Sequence, residues 1–266
     1  MPQEESDHMP KVSVILTSYN RPHLVQQAIQ SVLDQTMTDW ELLVMDDGSN
    51  QETIDAINSM SFPQDKVRAF GHNVMPGERT GLLWRYAMRI NEGVRNSSGE
   101  YISPLCDDDY YFPERLARLS HALDSTPQAI AVYGRSYTRQ FGSDIPDDPE
   151  RARRTDMPPD RKMIFNRNPP DQAYWWPGDL RAWERTDSLA RNWTPDHNQV
   201  MYRRSAKLSW PEFPYCTANG EEVGCADRGF YMQLKECGAF WGVDVWAVCK
   251  RYHGRGGQYR FFEPRE

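Results

Sequence analysis

Val12-Ser13-Val14-Ile15-Leu16-Thr17-Ser18-Tyr19-Asn20-Arg21-Pro22 is a β-branched run that closes in polar residues and then changes period. From Pro22 onward, Leu24, Val25, Ala28, Ile29, Val32 and Leu33 fall on one helical face, and Pro22 suits the first turn of that helix. Glu41-Leu42-Leu43-Val44-Met45 predicts a second strand, which stops at Asp46-Asp47-Gly48-Ser49 before a helix beginning near Glu52. The alternation continues with a strand over 67–70, a helix over 82–91, a strand over 101–105 and a helix over 114–123. Strands that alternate with helices predict an α/β fold: a mostly parallel central sheet flanked by helices, with ligands bound beyond the carboxyl ends of the strands. The polar clusters Thr17-Ser18-Tyr19-Asn20, Asp46-Asp47 and Asp107-Asp108-Asp109 each follow a predicted strand, so one crevice can collect them.

The third cluster carries the most chemistry. Tyr101-Ile102-Ser103-Pro104-Leu105 runs straight into Cys106-Asp107-Asp108-Asp109. Consecutive carboxylates repel and raise one another's pKa unless a cation or hydrogen-bond donors compensate. Oxygen ligands of this kind suit Mg²⁺ or Mn²⁺, ions that keep positions open for water and nucleotide phosphates. The alternative reading is an acidic turn capping the next helix, which Phe112-Pro113-Glu114 could start.

The chain has 266 residues and a formal charge of -7, enough length for one large α/β domain and no broad basic footprint for nucleic acid. No apolar run approaches the ~20 residues of a membrane span. Residues 1–10 are polar and lack the basic and apolar regions of a signal peptide, so they read as a flexible leader and the expected location is cytoplasmic. Cys106, Cys216, Cys225, Cys237 and Cys249 form no Cys-x-x-Cys pair and fit reduced thiols.

The expected organisation is one domain over 11–266, with a nucleotide-binding half at 11–110 and an acceptor-side half at 111–266. After a strand over 129–133 the alternation breaks, and 142–177, rich in Pro, Asp and Arg, reads as an irregular surface excursion or lid. Strands over 200–202 and 243–248 and a helix over 227–237 follow, ahead of the glycine-rich Tyr252-His253-Gly254-Arg255-Gly256-Gly257.

Taken together, Val12 to Pro22 as quoted, Val44-Met45-Asp46-Asp47-Gly48-Ser49 and Asp107-Asp108-Asp109 resemble a family 2 glycosyltransferase of the GT-A fold. Glu78-Arg79-Thr80, Gly99-Glu100-Tyr101-Ile102 and Asp196-His197 add similarity to the members of that family that build spore-coat polysaccharide. The resemblance covers roughly 11–133 and implies inverting transfer of a sugar from a nucleoside diphosphate, of UDP or dTDP type, to an acceptor hydroxyl. It implies that Thr17, Tyr19, Asp47, Arg79 and Asp107 hold the nucleotide and that Asp108 ligates Mn²⁺ or Mg²⁺, with Asp109 at the variable position after it. It also implies a metal or diphosphate role for His253, and places Asp196 and His197 at the donor sugar or the acceptor. Many members carry a further Asp where this chain has Leu105, so dependence on Asp108 becomes heavier.

Inversion needs a base opposite the leaving diphosphate. Asp227, in Gly224-Cys225-Ala226-Asp227-Arg228-Gly229-Phe230 at the start of a predicted helix, is the base that the resemblance implies, with Glu221 and Glu222 as rivals. Local readings stand beside these roles: Asp47 and Asp227 as helix N-caps, Tyr19 as a cover for the sheet edge, Arg79 paired with Glu78 or Glu92, and Arg251 or Arg255 compensating phosphate charge. Trp175, Trp176, Trp183 and Trp193 are candidates for stacking on an acceptor sugar, or for burial of apolar area. Arg151, Arg153, Arg154, Arg161 and Lys162 keep a nucleic acid base among the acceptor classes. Two other functions remain open: a catalytically silent nucleotide-sugar or glycan-binding module, which would not require Asp227, and a sugar-phosphate nucleotidyltransferase. The latter would need a glycine-rich phosphate loop that Thr17-Ser18-Tyr19-Asn20 does not supply.

Overall fold

The computed structural model describes residues 9–75, 78, 84–140, 177–178, 197–216, 222–223, 226–237 and 239–252. The first elements are β1 (Val12–Ser18), α1 (Pro22–Leu33), β2 (Trp40–Asp46), α2 (Gln51–Asn58) and β3 (Val67–Gly71). Then come α3 (Arg85–Asn96), β4 (Tyr101–Cys106), β5 (Tyr110–Tyr111), α4 (Arg115–Ser125) and β6 (Ala129–Gln140). The remainder contributes β7 (Pro177–Gly178), β8 (Val200–Arg203), the short pair β9 (Tyr215–Cys216) and β10 (Glu222–Val223), α5 (Ala226–Cys237) and β11 (Ala239–Tyr252).

Among the described residues one nine-stranded sheet runs in the order β3-β2-β1-β4-β8-β6-β11-β5, with β7 beside β11. β1 is parallel to β2 and β4, β2 to β3, and β6 to β11. β8 is antiparallel to both β4 and β6, so β6 and β11 point the same way as the first four strands. The result is the mostly parallel sheet that the alternation predicts.

Every residue of β1 and β2 is buried, as expected for parallel strands covered on both faces. Alternation along β1 divides the core. Val12, Val14 and Leu16 pack with Val25, Ile29 and Val32 of α1 and Leu116 and Leu119 of α4, whereas Ile15 packs with Ala87 and Ile90 of α3 and Phe230 and Leu234 of α5. α3 lies close on the sheet because residue 93 is glycine: a Cβ there would collide with Ile15 Cγ2 and stand 3.2 Å from Met45 Cγ. At the amino ends of the strands, Glu41 accepts from Ser13 Oγ at 2.7 Å, the Ser98 amide at 2.5 Å and Arg68 Nη2 at 2.6 Å.

Some boundaries differ from the sequence reading. α3 begins at Arg85 and continues to Asn96, and β11 covers 239–252 rather than 243–248. β6 and β11 are extended by pairing with each other, from Ala239↔Ala129 to Tyr252↔Gln140, beyond the reach of their apolar runs. The expected excursion over 142–177 falls almost wholly outside the described residues; at its end, Pro177 and Gly178 pair with Trp241 and Phe240. Among the described residues no helix is long and apolar enough to cross a membrane.

Candidate active site

Adjacent parallel strands bring their carboxyl ends to one edge. The register pairs Thr17 with both Met45 and Cys106, and Ser18 with Asp46. The chain leaving each strand is tied to β1: the Asp107 amide donates to Thr17 O at 3.0 Å and the Asp47 amide to Ser18 O at 2.9 Å. The loops after β1 and β2 also hold each other, since the Asn50 amide donates to Asn20 Oδ1 at 2.7 Å and the Asn20 amide to Ser49 Oγ at 3.0 Å.

At the end of β2 the two aspartates divide their work. Asp46 closes the turn by accepting from the Gly48 and Ser49 amides at 3.0 and 2.9 Å. Gly48 has φ +77, and a Cβ there would stand 2.9 Å from His72 O. Asn50, rather than Asp47, caps α2, accepting from the Thr53 amide at 3.0 Å. Asp47 is thus released from the capping role and is buried against α3. Arg85 donates to it twice, Nε to Oδ2 at 2.6 Å and Nη2 to Oδ1 at 2.8 Å, and Arg89 Nε stands 3.0 Å from Oδ1.

The acidic triplet caps no helix, because α4 starts at Arg115 behind Glu114. Its carboxylates have separate partners. Asp107, 2% exposed, accepts from the Tyr19 amide at 2.7 Å and from Arg21 Nη1 at 2.6 Å. Burial pushes Asp107 up to about 6; Arg21 draws it back and the Asp108 charge adds to the rise. Asp109 accepts from Asn198 Nδ2 at 2.5 Å, and Asn198 Oδ1 accepts from the Cys106 amide at 2.8 Å. Asp108 lies 3.3 Å from Arg21 Nη2.

Among the described residues no group of three or more His, Cys, Asp or Glu is placed to hold a metal ion. The donor set fits a hard ion only in a restricted way. Asp107 and Asp109 accept from Arg21, Tyr19 and Asn198, and Asp108 pairs with Arg21 at a longer distance, so an ion held here would draw most of its ligands from phosphates and water.

On the other side of β4, residues 197–199 form a single buried 3₁₀ turn. His197 Nε2 is 2.9 Å from Cys106 Sγ, and its Nδ1 is 3.4 Å from Asp227 Oδ1. The ring stacks on Tyr86 with centroids 5.3 Å apart, and Tyr86 Oη donates to the same Asp227 oxygen at 3.1 Å. Asp227 lies inside the first turn of α5, so it follows rather than precedes the helix start. Arg115, fully buried, supports the turn from behind by donating to Asn198 O at 2.8 Å and Val200 O at 3.0 Å.

Thr17, Tyr19, Asp47, Asp107, Asp108, His197 and Asp227 therefore all lie at or beside the carboxyl ends of β1, β2 and β4. Arg79, Asp196 and His253 lie outside the described residues, as do Glu221, Arg255, Trp175, Trp176, Trp183 and Trp193. Sequence reasoning did not single out Arg21, Arg85, Arg89, Tyr86 or Asn198. The i,i+4 spacing of Arg85 and Arg89 on one helix face was the available signal for a basic pair aimed at a carboxylate.

Residues 13–176 match the family model of glycosyl transferase family 2. The chain belongs to this family. A curated relative, protein CgeD of Bacillus subtilis (strain 168), is 43% identical over 125 residues, which are 47% of the chain and 29% of CgeD. Similar solved structures include S. aureus TarS 1-349 in complex with UDP-GlcNAc, at 17% identity and TM-score 0.58, covering 94% of this chain and 60% of that one. Mannosyltransferase PcManGT from Pyrobaculum calidifontis, in complex with GDP-Man and Mn²⁺, is 17% identical with TM-score 0.54, covering 94% and 59%. At these identities the structures establish the fold, the expected GT-A architecture. The chain spans under a third of CgeD and about three fifths of the two solved chains.

Proposed function

We propose that this chain transfers a sugar, with inversion and with help from a divalent metal, from a nucleoside-diphosphate sugar to an acceptor hydroxyl. One observation carries the reading. Asp227 lies 3.4 Å from His197, and His197 lies 2.9 Å from Cys106, the neighbour of Asp107; these contacts link the candidate base to the strand end that carries the candidate nucleotide carboxylates. Inverting transfer requires a base and a leaving group on opposite sides of the reacting carbon.

Thr17, Tyr19, Asp47, Arg79 and Asp107 hold the nucleotide in this reading. Asp107 supplies a carboxylate oriented by Arg21 and the Tyr19 amide, and Asp47 one oriented by Arg85. Asp108, with His253, holds Mn²⁺ or Mg²⁺. The chemistry such an ion supplies when bound is neutralisation of the charge that develops on the diphosphate. Asp227 removes the acceptor proton, and Asp196 and His197 fall on the acceptor side. A UDP-sugar donor is supported by the UDP-GlcNAc complex of TarS, and Mn²⁺ by the mannosyltransferase complex. The acceptor is any of the hydroxyl classes that glycosyltransferases use, and the working location is the cytoplasm.

The test is a thermal-shift and calorimetric panel of nucleoside diphosphates and their sugars, each with and without Mn²⁺, because ligand affinity raises apparent stability. Metal-enhanced binding of a nucleotide sugar, with turnover abolished in Asp227→Asn and binding kept, is the expected result. Tight donor binding with no turnover across acceptors would instead favour a silent binding module.

A further inference from the structure

We infer that His197 is a positioning residue for Asp227, held in one orientation by Cys106 and Tyr86, rather than a contact for the transferred or accepting sugar. The inference rests on the reading of Asp227 as the base. His197 is 6% exposed, and both of its ring nitrogens face protein groups. The ring is clamped between Tyr86, stacked at 28°, and Trp210, edge-on with centroids 5.8 Å apart. A side chain enclosed in this way has little surface to offer a sugar, but it can fix a neighbouring carboxylate.

The chemistry of the contacts assigns the proton. Thr17 Oγ1 donates to Cys106 Sγ at 3.7 Å, so the sulfur has an incoming donor and its own S–H is available. Nδ1 faces a carboxylate oxygen, which can only accept, so Nε2 is the bare nitrogen and takes the S–H of Cys106 at 2.9 Å. The neutral imidazole then carries its proton on Nδ1, the nitrogen 3.4 Å from Asp227 Oδ1. Tyr86 Oη donates to the same oxygen at 3.1 Å, so the two side chains that stack on each other both face one oxygen of Asp227. Because Cys106 ends the strand that delivers Asp107 and Asp108, the chain Cys106–His197–Asp227 sets the base in register with the nucleotide carboxylates.

Two measurements on the full chain test this. The first is the imidazole ¹⁵N spectrum of neutral His197, which should show protonated Nδ1 and bare Nε2; Asp227→Asn should move the Nδ1 resonance and Cys106→Ala the Nε2 resonance. A protonated Nε2, or an Nδ1 resonance unmoved by Asp227→Asn, overturns the inference. The second is nucleotide release from UDP-glucose and UDP-GlcNAc. His197→Ala should lower kcat by about tenfold to a hundredfold, the scale of misplacing a reacting group, with donor affinity by calorimetry within twofold. The same substitution placed in Asp227→Asn should have almost no further effect, because residues acting as a unit are not additive. Tyr86→Phe, which keeps the stack and removes only the hydroxyl, should give a smaller loss of the same kind. Weakened donor affinity with kcat unchanged would make His197 a sugar contact. Full turnover by Asp227→Asn ends the base reading and the positioning role together, whereas an inactive Asp227→Asn with an unmoved His197 resonance ends the positioning role alone.

Discussion

Arg85 grips Asp47 through both carboxylate oxygens, at 2.6 and 2.8 Å, from the first turn of α3. A carboxylate has about four lone-pair sites, so this grip fixes its plane and still leaves room for a ligand N–H. Arg85→Lys keeps the charge and loses the fork, and donor affinity measured by calorimetry should fall about tenfold, the cost of one charge-assisted hydrogen bond. A gain in affinity would show that Arg85 competes with the nucleotide.

Asp108→Asn should separate metal from nucleotide. In the parent chain Mn²⁺ should increase donor affinity, and in Asp108→Asn the titrations with Mn²⁺ and with chelator should coincide. An undiminished Mn²⁺ effect would move the ion to other ligands.

Asp107 and Glu41 should pull stability in opposite directions with pH in metal-free buffer. Asp107 is raised to about 6 from an ordinary 3.8, so between those values the folded state binds more protons, and its contribution is lost as pH rises through about 6. For Glu41, burial raises the pKa, but the Ser98 amide, Ser13 and Arg68 outweigh it and hold the group low. Its stabilisation is present above the ordinary carboxyl range and is lost as pH falls through the depressed value. Melting temperatures across pH 3–7 should therefore lose their downward component in Asp107→Asn and their acid-side fall in Glu41→Gln; unchanged slopes in both would refute the assignment.

Arg115→Met should destabilise the chain by about 3 kcal/mol, because it strands the buried Asn198 and Val200 carbonyls that the guanidinium now satisfies. Burial already lowers Arg115 to about 10, and the guanidinium rests 3.7 Å above the Tyr111 ring. Urea unfolding reads the effect, and a midpoint equal to that of the parent would contradict it.

The first half of the fold was legible because β1, β2 and β4 are covered on both faces, which leaves apolar runs ending at polar clusters. β5 was not legible, since two residues carry no period. The capping alternative for Asp47 looked equal to its site role in the sequence; Asn50 decides it, and only the backbone shows which of two neighbouring polar residues takes the cap. Arg21, Arg85 and Arg89 were not legible as site residues because the carboxylates they meet at the strand ends, Asp107 and Asp47, are more than thirty residues away in the chain. The convergence of His197 on Cys106 and Asp227 depends on three distant elements meeting, which spacing alone does not encode.

β8 has one consequence for how the molecule comes apart. Its four residues join two sets of strands, pairing Tyr202 with Ile102 on one edge and with Ala131 on the other. Amides in so short a segment would ordinarily trade hydrogen for deuterium quickly, yet here they can do so only when the sheet splits down its middle. Exchange at Met201 and Tyr202 is thus a clock for the largest opening of this chain, the one event that would pull His197 and Asp227 away from the strand end bearing Asp107 and Asp108.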